Sequence, residues 1–186
     1  MNSQKISGGT GLLDPEKILK DELQLVPGSW VGDFGCGGAA YFTFETARQV
    51  GEGGFVYAVD VLKSVLDNIK RRSKELNLKN IDTLWSNLEK FGACKINNNS
   101  LDYGLLINVM FQNKNRAGLL KEVVRMIKPG GKILVIDWRE GRFPIGPRPE
   151  NRMTLQELVG LADLVGIRLD KKFEAGQYHY GVIFKK

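Results

Sequence analysis

The stretch Val31–Phe42, with the sequence VGDFGCGGAAYF, places a carboxylate two residues before a run of glycines. Read as G-x-G-x-x-G/A, the residues Gly35, Gly37 and Ala40 match a dinucleotide-binding loop. Such a loop presents its backbone to a pyrophosphate group. The carboxylate of Asp33 would repel that group, so this loop is poorly suited to a phosphate.

A ligand that carries positive charge suits these residues better. S-adenosylmethionine has an ammonium and a sulfonium group and no phosphate, so Asp33 would attract it. Gly35 and Gly37 lack a Cβ atom, which lets the backbone approach the methionine end closely. Asp60 follows about twenty residues on and could accept hydrogen bonds from the ribose hydroxyls of either ligand. The charge of Asp33 favours S-adenosylmethionine, and the spacing of the glycines leaves a dinucleotide as the alternative.

Strand and helix patterns alternate around this loop. Short apolar runs predict strands, which cover Trp30–Phe34, Phe55–Asp60, Asn80–Ser86, Leu101–Asn108, Lys132–Trp138, Ile167–Glu174 and Gln177–Phe184. Amphipathic periodicity and capping residues predict helices, which begin at Asp14-Pro15 and cover Ala39–Val50, Leu62–Leu76, Leu119–Ile127 and Thr154–Val165. A Lys-Pro-Gly-Gly turn at 128–131 precedes the fifth strand.

This order of elements predicts an α/β fold, a doubly wound Rossmann-like sheet of about seven strands that is mostly parallel. The last two strands are joined by the short turn Ala175-Gly176, which requires an antiparallel C-terminal hairpin. We expect residues 1–186 to form one domain, with an N-terminal loop and capping helix over 1–25 and a substrate-side loop over 139–153. Ligands bind such sheets at the carboxyl ends of the strands.

The composition is that of an ordinary globular protein, with 42% hydrophobic and 26% charged residues among 186. Two cysteines and one histidine make a disulfide framework or a protein-built metal site improbable. No apolar run has the about 20 residues that cross a bilayer, and the N-terminus lacks a signal peptide, so we expect a cytoplasmic protein without a membrane span. The net charge of +6 indicates either an acidic partner or simply a solvated surface.

Taken together, these motifs resemble the class I S-adenosylmethionine-dependent methyltransferases. The family pattern D-x-G-x-G-x-G appears as Asp33–Ala39, the second strand ends in VYAVD, and the fourth strand reads DYGLLINVMF. The KPGG turn and the C-terminal hairpin also agree with the family, and the resemblance runs from Leu12 to Lys186. The segments GLLDPEKIL, GPRPENRMT and YHYGVIF look most like small bacterial methyltransferases of the quinone-biosynthesis type.

The resemblance implies S-adenosyl-L-methionine as the cofactor and assigns residues to its parts. The cofactor-binding residues it implies are Asp33, Gly35, Cys36 and Gly37 around the methionine moiety, Asp60 at the ribose, Val61, Asn87 and Leu88 at the adenine, and Asn108 near the sulfonium. The thiol of Cys36 is interpreted as a small buried filler.

Two positions depart from the family. The third glycine is replaced by Ala39, which a turn without positive φ should tolerate. The acid after the third strand is replaced by Asn87, whose amide oxygen can still accept from an adenine amino group, so we expect weakened recognition.

Several side chains near the end of the fifth strand could face the methyl acceptor. Asp137, Tyr178 and His179 are the candidate catalytic residues, and the only histidine could act as a base or have a structural role. The segment 139–152 also contains four arginines, which suit an anionic molecule or an RNA phosphate.

We predict methyl transfer by in-line displacement to a small-molecule acceptor, and the arginines of segment 139–152 allow this acceptor to be anionic. A methyltransferase that acts on RNA or protein is the first alternative, although no separate RNA-binding module is visible. An NAD-binding or other nucleotide-binding protein without methyl transfer is the second.

Overall fold

The computed structural model describes residues 12–186, and seven strands make up its sheet. They are β1 (Trp30–Phe34), β2 (Phe55–Asp60), β3 (Ile81–Trp85), β4 (Leu101–Ile107), β5 (Ile127–Trp138), β6 (Arg168–Ala175) and β7 (His179–Lys185). The Gly-Gly-Thr-Gly segment at 8–11, predicted as loop, lies outside the described residues.

Five α-helices flank the sheet. They are α1 (Pro15–Lys17), α2 (Tyr41–Val50), α3 (Lys63–Glu75), α4 (Arg116–Met126) and α5 (Leu155–Leu164). The predicted cap of the first helix is confirmed, since Asp14 accepts from the Lys17 backbone N–H at 3.1 Å. This helix continues as a π-helix over Ile18–Glu22. None of the helices in the described part of the chain is long and apolar enough to cross a bilayer.

The strand order is β3-β2-β1-β4-β5-β7-β6, and the predicted fold class is confirmed. The first five strands pair in parallel, whereas β7 pairs antiparallel with both β5 and β6. The order reverses between β1 and β4, so a crevice opens beyond the carboxyl ends of these two strands. The hairpin inserts β7 beside β5 and leaves β6 at the edge.

The helices pack against both faces of the sheet through clusters of buried apolar side chains. One cluster includes Phe34, Leu106 and residues of α4 and α5, and the other includes Val31, Leu105 and residues of α2. The predicted capping box of α5 is confirmed, because Thr154 and Glu157 exchange two hydrogen bonds of 2.8 and 3.1 Å.

The fifth strand begins five residues earlier than predicted. Ile127 pairs with Leu101, and pairing resumes at Lys132 opposite Tyr103, so the Lys-Pro-Gly-Gly segment is an irregularity within β5. Backbone hydrogen bonds link Gly130 and Gly131 of this segment to Lys186, at 2.8 and 3.0 Å. Contacts with the far end of the chain therefore extend the strand, and a local turn pattern does not reveal them.

The crossover from β3 to β4, residues 86–100, contains no helix. The fully buried carboxylate of Glu122 in α4 accepts from the backbone N–H groups of Gly92 at 2.7 Å and Cys94 at 3.0 Å. It also pairs with Arg125 at 2.8 Å. The side chain of Glu122 therefore holds this irregular segment against α4.

Candidate active site

The glycine loop, Gly35–Ala40, folds around the carboxyl end of β2. The backbone N–H groups of Gly35 and Cys36 donate to the Val59 carbonyl at 2.8 and 3.2 Å. The Gly37 N–H donates to Asp60 Oδ2 at 3.1 Å. These bonds join the loop after β1 to the acidic end of the neighbouring strand.

Positive φ angles explain which loop positions need glycine. Gly35 has a φ of +77°, and a Cβ there would lie 2.6 Å from Val109 Cγ2. Gly37 has a φ of +65°, with open space where its Cβ would be. Ala39 is not among the residues with positive φ, as predicted, whereas Ala40 is left-handed at +49°.

Asp33 lies almost completely buried behind this loop, with 2% of its surface exposed. The Thr43 hydroxyl of α2 donates to its Oδ2 at 2.5 Å. Burial raises the pKa of Asp33, the Thr43 hydrogen bond opposes this shift and the charge of Asp60 adds to it, so that the pKa lies at about 7. A buried carboxyl of this kind gains most from a positively charged ligand.

On the opposite side of the crevice, Asn108 follows β4 with a left-handed φ of +58°. Its backbone N–H donates to the Ile136 carbonyl at 2.8 Å, which fixes its position between β4 and β5. Its side-chain oxygen is buried and has no hydrogen-bond partner among the described residues. A buried polar atom without a partner indicates that a ligand or water completes the site.

Asp33 and Asn108 face one cavity of about 250 Å³, which we call the glycine-loop cavity. Of the predicted site residues, it is lined by Asp33, Gly35, Cys36, Gly37, Asn108 and His179. Leu12, Tyr41 and Ile107 also line it. Burial raises the pKa of the Cys36 thiol, and the nearby aspartates raise it further, so this thiol is unreactive.

The predicted ribose and adenine residues lie outside this cavity, around the ends of β2 and β3. Asp60 Oδ1 accepts from the Leu62 N–H at 2.9 Å. Val61 is 52% exposed, whereas Leu88 is buried in the core cluster. Asn87 uses its side-chain oxygen to accept from the Glu89 N–H at 3.0 Å, so its NH₂ group is the part left for a ligand.

His179, the first residue of β7, is fully buried at the wall of the glycine-loop cavity. Its ring packs against Trp138, with centroids 4.3 Å apart and the ring planes tilted by 43°. Neither ring nitrogen has a hydrogen-bond partner among the described residues. Burial, with a smaller contribution from the charge of Arg152, lowers the pKa of His179 to about 4, so the imidazole is neutral at physiological pH.

The other two catalytic candidates lie away from the glycine-loop cavity. Asp137 accepts from the backbone N–H groups of Phe111 at 3.0 Å and Trp138 at 2.8 Å, and it thereby fixes the short 3₁₀ helix after β4. Burial raises its pKa to about 6, against these hydrogen bonds. Tyr178 packs edge-on against Phe143 at 5.3 Å.

The arginine loop, Arg139–Arg152, is folded around its own last residue. The buried guanidinium of Arg152 donates to the carbonyls of Arg139, Gly141 and Pro147 at 2.8–3.0 Å. It also lies over the Phe143 ring, 5.0 Å from its centroid. Because carbonyls occupy this guanidinium, Arg152 shapes the loop and is not available to an anionic ligand.

Sequence reasoning missed two residues that shape the site. Thr43 lies ten residues after Asp33, and its only signal is a polar residue on the buried face of α2. Arg152 gave no signal at all, since nothing in the sequence separates it from its three exposed or half-buried neighbours in the loop.

A family model described as a methyltransferase domain matches residues 26–176. The demethylmenaquinone methyltransferase of Bacillus mycoides (strain KBAB4) is 30% identical over 118 residues, which cover 62% of this chain and 47% of that protein. The enzyme of the same name from Lactococcus lactis subsp. lactis (strain IL1403) is 29% identical over 110 residues, 59% of this chain and 42% of that protein. The chain spans about half the length of the curated relatives it matches.

Solved structures extend the similarity over nearly the whole chain. A SAM dependent methyltransferase from Aquifex aeolicus superposes with a TM-score of 0.85 at 31% identity, covering 94% of this chain and 90% of that one. A putative type 11 methyltransferase from Sulfolobus solfataricus shares the fold, with a TM-score of 0.73 at 24% identity over 94% and 93% of the two chains. The resemblance predicted from the motifs is confirmed: the chain belongs to the methyltransferase domain family, within the class I S-adenosylmethionine-dependent methyltransferases.

Proposed function

We propose that this protein transfers a methyl group from S-adenosyl-L-methionine to a small-molecule acceptor. The observation that carries this proposal is the buried carboxylate of Asp33 in a cavity walled by the glycine loop. An ammonium group in that cavity would compensate a charge that burial penalises. A pyrophosphate there would increase the repulsion, which argues against NAD.

The described residues could hold each part of the cofactor, as follows. Asp33, Gly35, Cys36 and Gly37 would surround the methionine moiety, and the unpartnered side-chain oxygen of Asn108 would face its sulfonium end. Asp60 would accept from the ribose hydroxyls. Val61, Asn87 and Leu88 would lie along the adenine, with the NH₂ group of Asn87 toward the base.

When bound, the cofactor supplies an already activated methyl group. The chain's own task is to hold the two reactants in line and to keep water out, and such positioning can lower a barrier by roughly 7–11 kcal/mol. The buried walls made by Asp33, Asn108 and His179 serve this purpose. Asp137 positions the backbone after β4, through two backbone N–H groups.

The acceptor class is supported by the relatives, which are demethylmenaquinone methyltransferases. A quinol-like small molecule is therefore the first class to test. An anionic or RNA acceptor has weaker support, because Arg152 is occupied by carbonyls and Arg139 pairs with Glu174 at 3.5 Å. We also propose that residues 139–153 form the substrate-side loop of a single domain.

Cys36 and Cys94 are free thiols, which suits a protein of the reducing cytoplasm, and we propose that location.

Calorimetric titration with S-adenosylmethionine, S-adenosylhomocysteine and NAD tests the proposal. We expect the first two to bind and NAD not to bind. Asp60→Ala should weaken S-adenosylhomocysteine binding by about 1.5–3 kcal/mol, because charge-assisted hydrogen bonds are lost. Asp67→Ala, an exposed acid on α3, is the matched control and should leave the affinity unchanged. Binding of NAD alone would overturn the proposal.

A further inference from the structure

We propose that Asn68 and Arg72 of α3 are positioning residues for the cofactor, and that they hold the second half of the glycine loop in the conformation that binds its methionine moiety. The two residues lie about one helical turn apart, and both donate hydrogen bonds to the loop. Neither lines the glycine-loop cavity, so they would act on the cofactor through the loop. The inference rests on the proposed function, because it concerns how the cofactor is bound.

The two halves of the glycine loop are held by different elements. In the first half, the backbone N–H groups of residues 35–37 donate to the end of β2. In the second half, carbonyl groups of the loop accept from α3. Asn68 Nδ2 donates to the Gly38 carbonyl at 3.0 Å, and the Arg72 guanidinium donates to the Ala39 carbonyl at 2.7 Å. The loop is therefore bound on both sides, through opposite ends of its peptide groups.

Packing does little to fix this second half. Gly38 and Ala39 are exposed, and no atom lies within 4 Å of the position that a Cβ on Gly38 would occupy. The next residue, Ala40, has a left-handed φ of +49°, which is unfavourable for a residue other than glycine. The hydrogen bonds from α3 are therefore the contacts that hold Gly38 and Ala39 in place.

Both donors are themselves held in position. The guanidinium of Arg72 lies over the buried ring of Phe44 in α2, 4.5 Å from its centroid. The side-chain oxygen of Asn68 accepts from Arg71 at 2.8 Å, which leaves the NH₂ group of Asn68 for the loop. Donors that are ordered before the ligand arrives can orient a loop without a further loss of side-chain entropy.

The contacts with α3 also determine where the loop presents its N–H groups. A trans peptide places its carbonyl and its N–H on opposite sides. Because the carbonyls of Gly38 and Ala39 are directed at α3, the N–H groups of Ala39 and Ala40 face away from α3, and both residues line the glycine-loop cavity. Such donors suit the carboxylate of the methionine moiety. Loss of the contacts should therefore weaken binding of that moiety and spare the adenosine part.

Two ligands distinguish this role from a general effect on stability. S-adenosylhomocysteine carries the amino-acid part of the cofactor, whereas 5′-methylthioadenosine lacks it. In Arg72→Met, we expect calorimetric titration to show about tenfold weaker binding of S-adenosylhomocysteine, because the loop must now be ordered on binding. The affinity for 5′-methylthioadenosine should be unchanged. A loss of the same size for both ligands, or for neither, would overturn the inference.

Further variants separate the hydrogen bonds from the charge. Asn68→Ala removes no charge and should weaken S-adenosylhomocysteine binding about threefold. Arg72→Lys keeps a donor and a cation beside Phe44, and it should stay within about threefold of the parent. The control Lys70→Met removes the same charge from an exposed position on α3 and should leave both affinities unchanged. An effect of Lys70→Met as large as that of Arg72→Met would assign the loss to charge and contradict the inference.

If Arg72→Met does not fold, Asn68→Ala tests the inference alone, since its loss must still be confined to S-adenosylhomocysteine. Failure of the parent protein to bind S-adenosylhomocysteine would instead refute the proposed function. Binding by the parent, with equal losses for the two ligands in the variants, would refute only the present inference.

Discussion

The two sides of the crevice are built by different means. On the proposed cofactor side, polar groups follow the ends of adjacent parallel strands, as Asp33, Asp60 and Asn108 do, and the backbone of the glycine loop contacts the end of β2. On the proposed acceptor side, an antiparallel hairpin and the arginine loop are held by aromatic rings and by the guanidinium of Arg152.

The comparison shows that sheet topology determines the positions of the polar groups on one side and does not determine them on the other. Parallel strands that end at one edge of a sheet bring their next residues together whatever the rest of the chain does. Sheet topology does not determine the shape of the arginine loop. That shape depends on the side chain of Arg152, which donates hydrogen bonds to three backbone carbonyl groups. The cofactor side should therefore tolerate changes on the acceptor side, and the predictions below test that independence.

The largest effect is expected from Arg152→Ala. The change leaves three carbonyls without their donor and removes a cation from the Phe143 ring, so the free energy of unfolding should fall by about 3 kcal/mol. Urea denaturation measures it, with the exposed Arg148→Ala as a control that should stay within about 0.5 kcal/mol. S-adenosylhomocysteine affinity should be nearly unchanged, and a large loss would show that the two sides form one unit.

An intermediate effect is expected from pH on the cofactor side. Because burial raises the pKa of Asp33 to about 7, this carboxyl is ionised above that pH and protonated below it. A cationic ligand must displace the proton at lower pH, so affinity should fall by up to about tenfold per pH unit below about pH 7. Titration of S-adenosylhomocysteine at several pH values measures the slope, which Asp33→Asn should abolish. A slope that persists in this variant would assign the proton elsewhere.

The smallest effect, a gain, is expected from Asn87→Asp. A carboxylate can still accept from the Glu89 N–H, and its second oxygen would replace an NH₂ group with an acceptor for the adenine amino group. We expect S-adenosylhomocysteine to bind about threefold more tightly. Asn97→Asp, at an exposed position before β4, makes the same change of charge away from the site and serves as the control. Weaker binding in Asn87→Asp would mean that the NH₂ group of Asn87 donates to a ring nitrogen of the adenine, which a carboxylate cannot do.

The cofactor side could be predicted from the sequence because its signals are local. The glycines, the acid at the end of β2 and the asparagine after β4 each follow an apolar run, and the α/β order brings those ends together. The roles of these residues toward a ligand remain predictions.

The structural features that could not be predicted from the sequence depend on contacts between distant parts of the chain. The early start of β5 requires hydrogen bonds to Lys186, and the burial of Arg152 requires the arginine loop to close on itself. Asp137 is a catalytic candidate from the sequence, and the structure adds that each of its oxygens accepts a backbone N–H group. Residue type alone does not reveal those two bonds, and the role of Asp137 toward a substrate stays a prediction.

The tie between Glu122 and the crossover after β3 makes one edge of the molecule sensitive to acid. Burial alone would raise the pKa of Glu122, but hydrogen bonds from Arg125, Gly92 and Cys94 outweigh it and lower the pKa. A carboxyl whose pKa is lowered by folding stabilises the protein above its ordinary pKa, and that contribution disappears as the pH falls through the folded value. As the pH falls below the ordinary pKa of a glutamate carboxyl, amide hydrogens of residues 86–100 should therefore exchange with solvent before those of the central strands, so that the edge nearest the proposed adenine site opens as a separate unit.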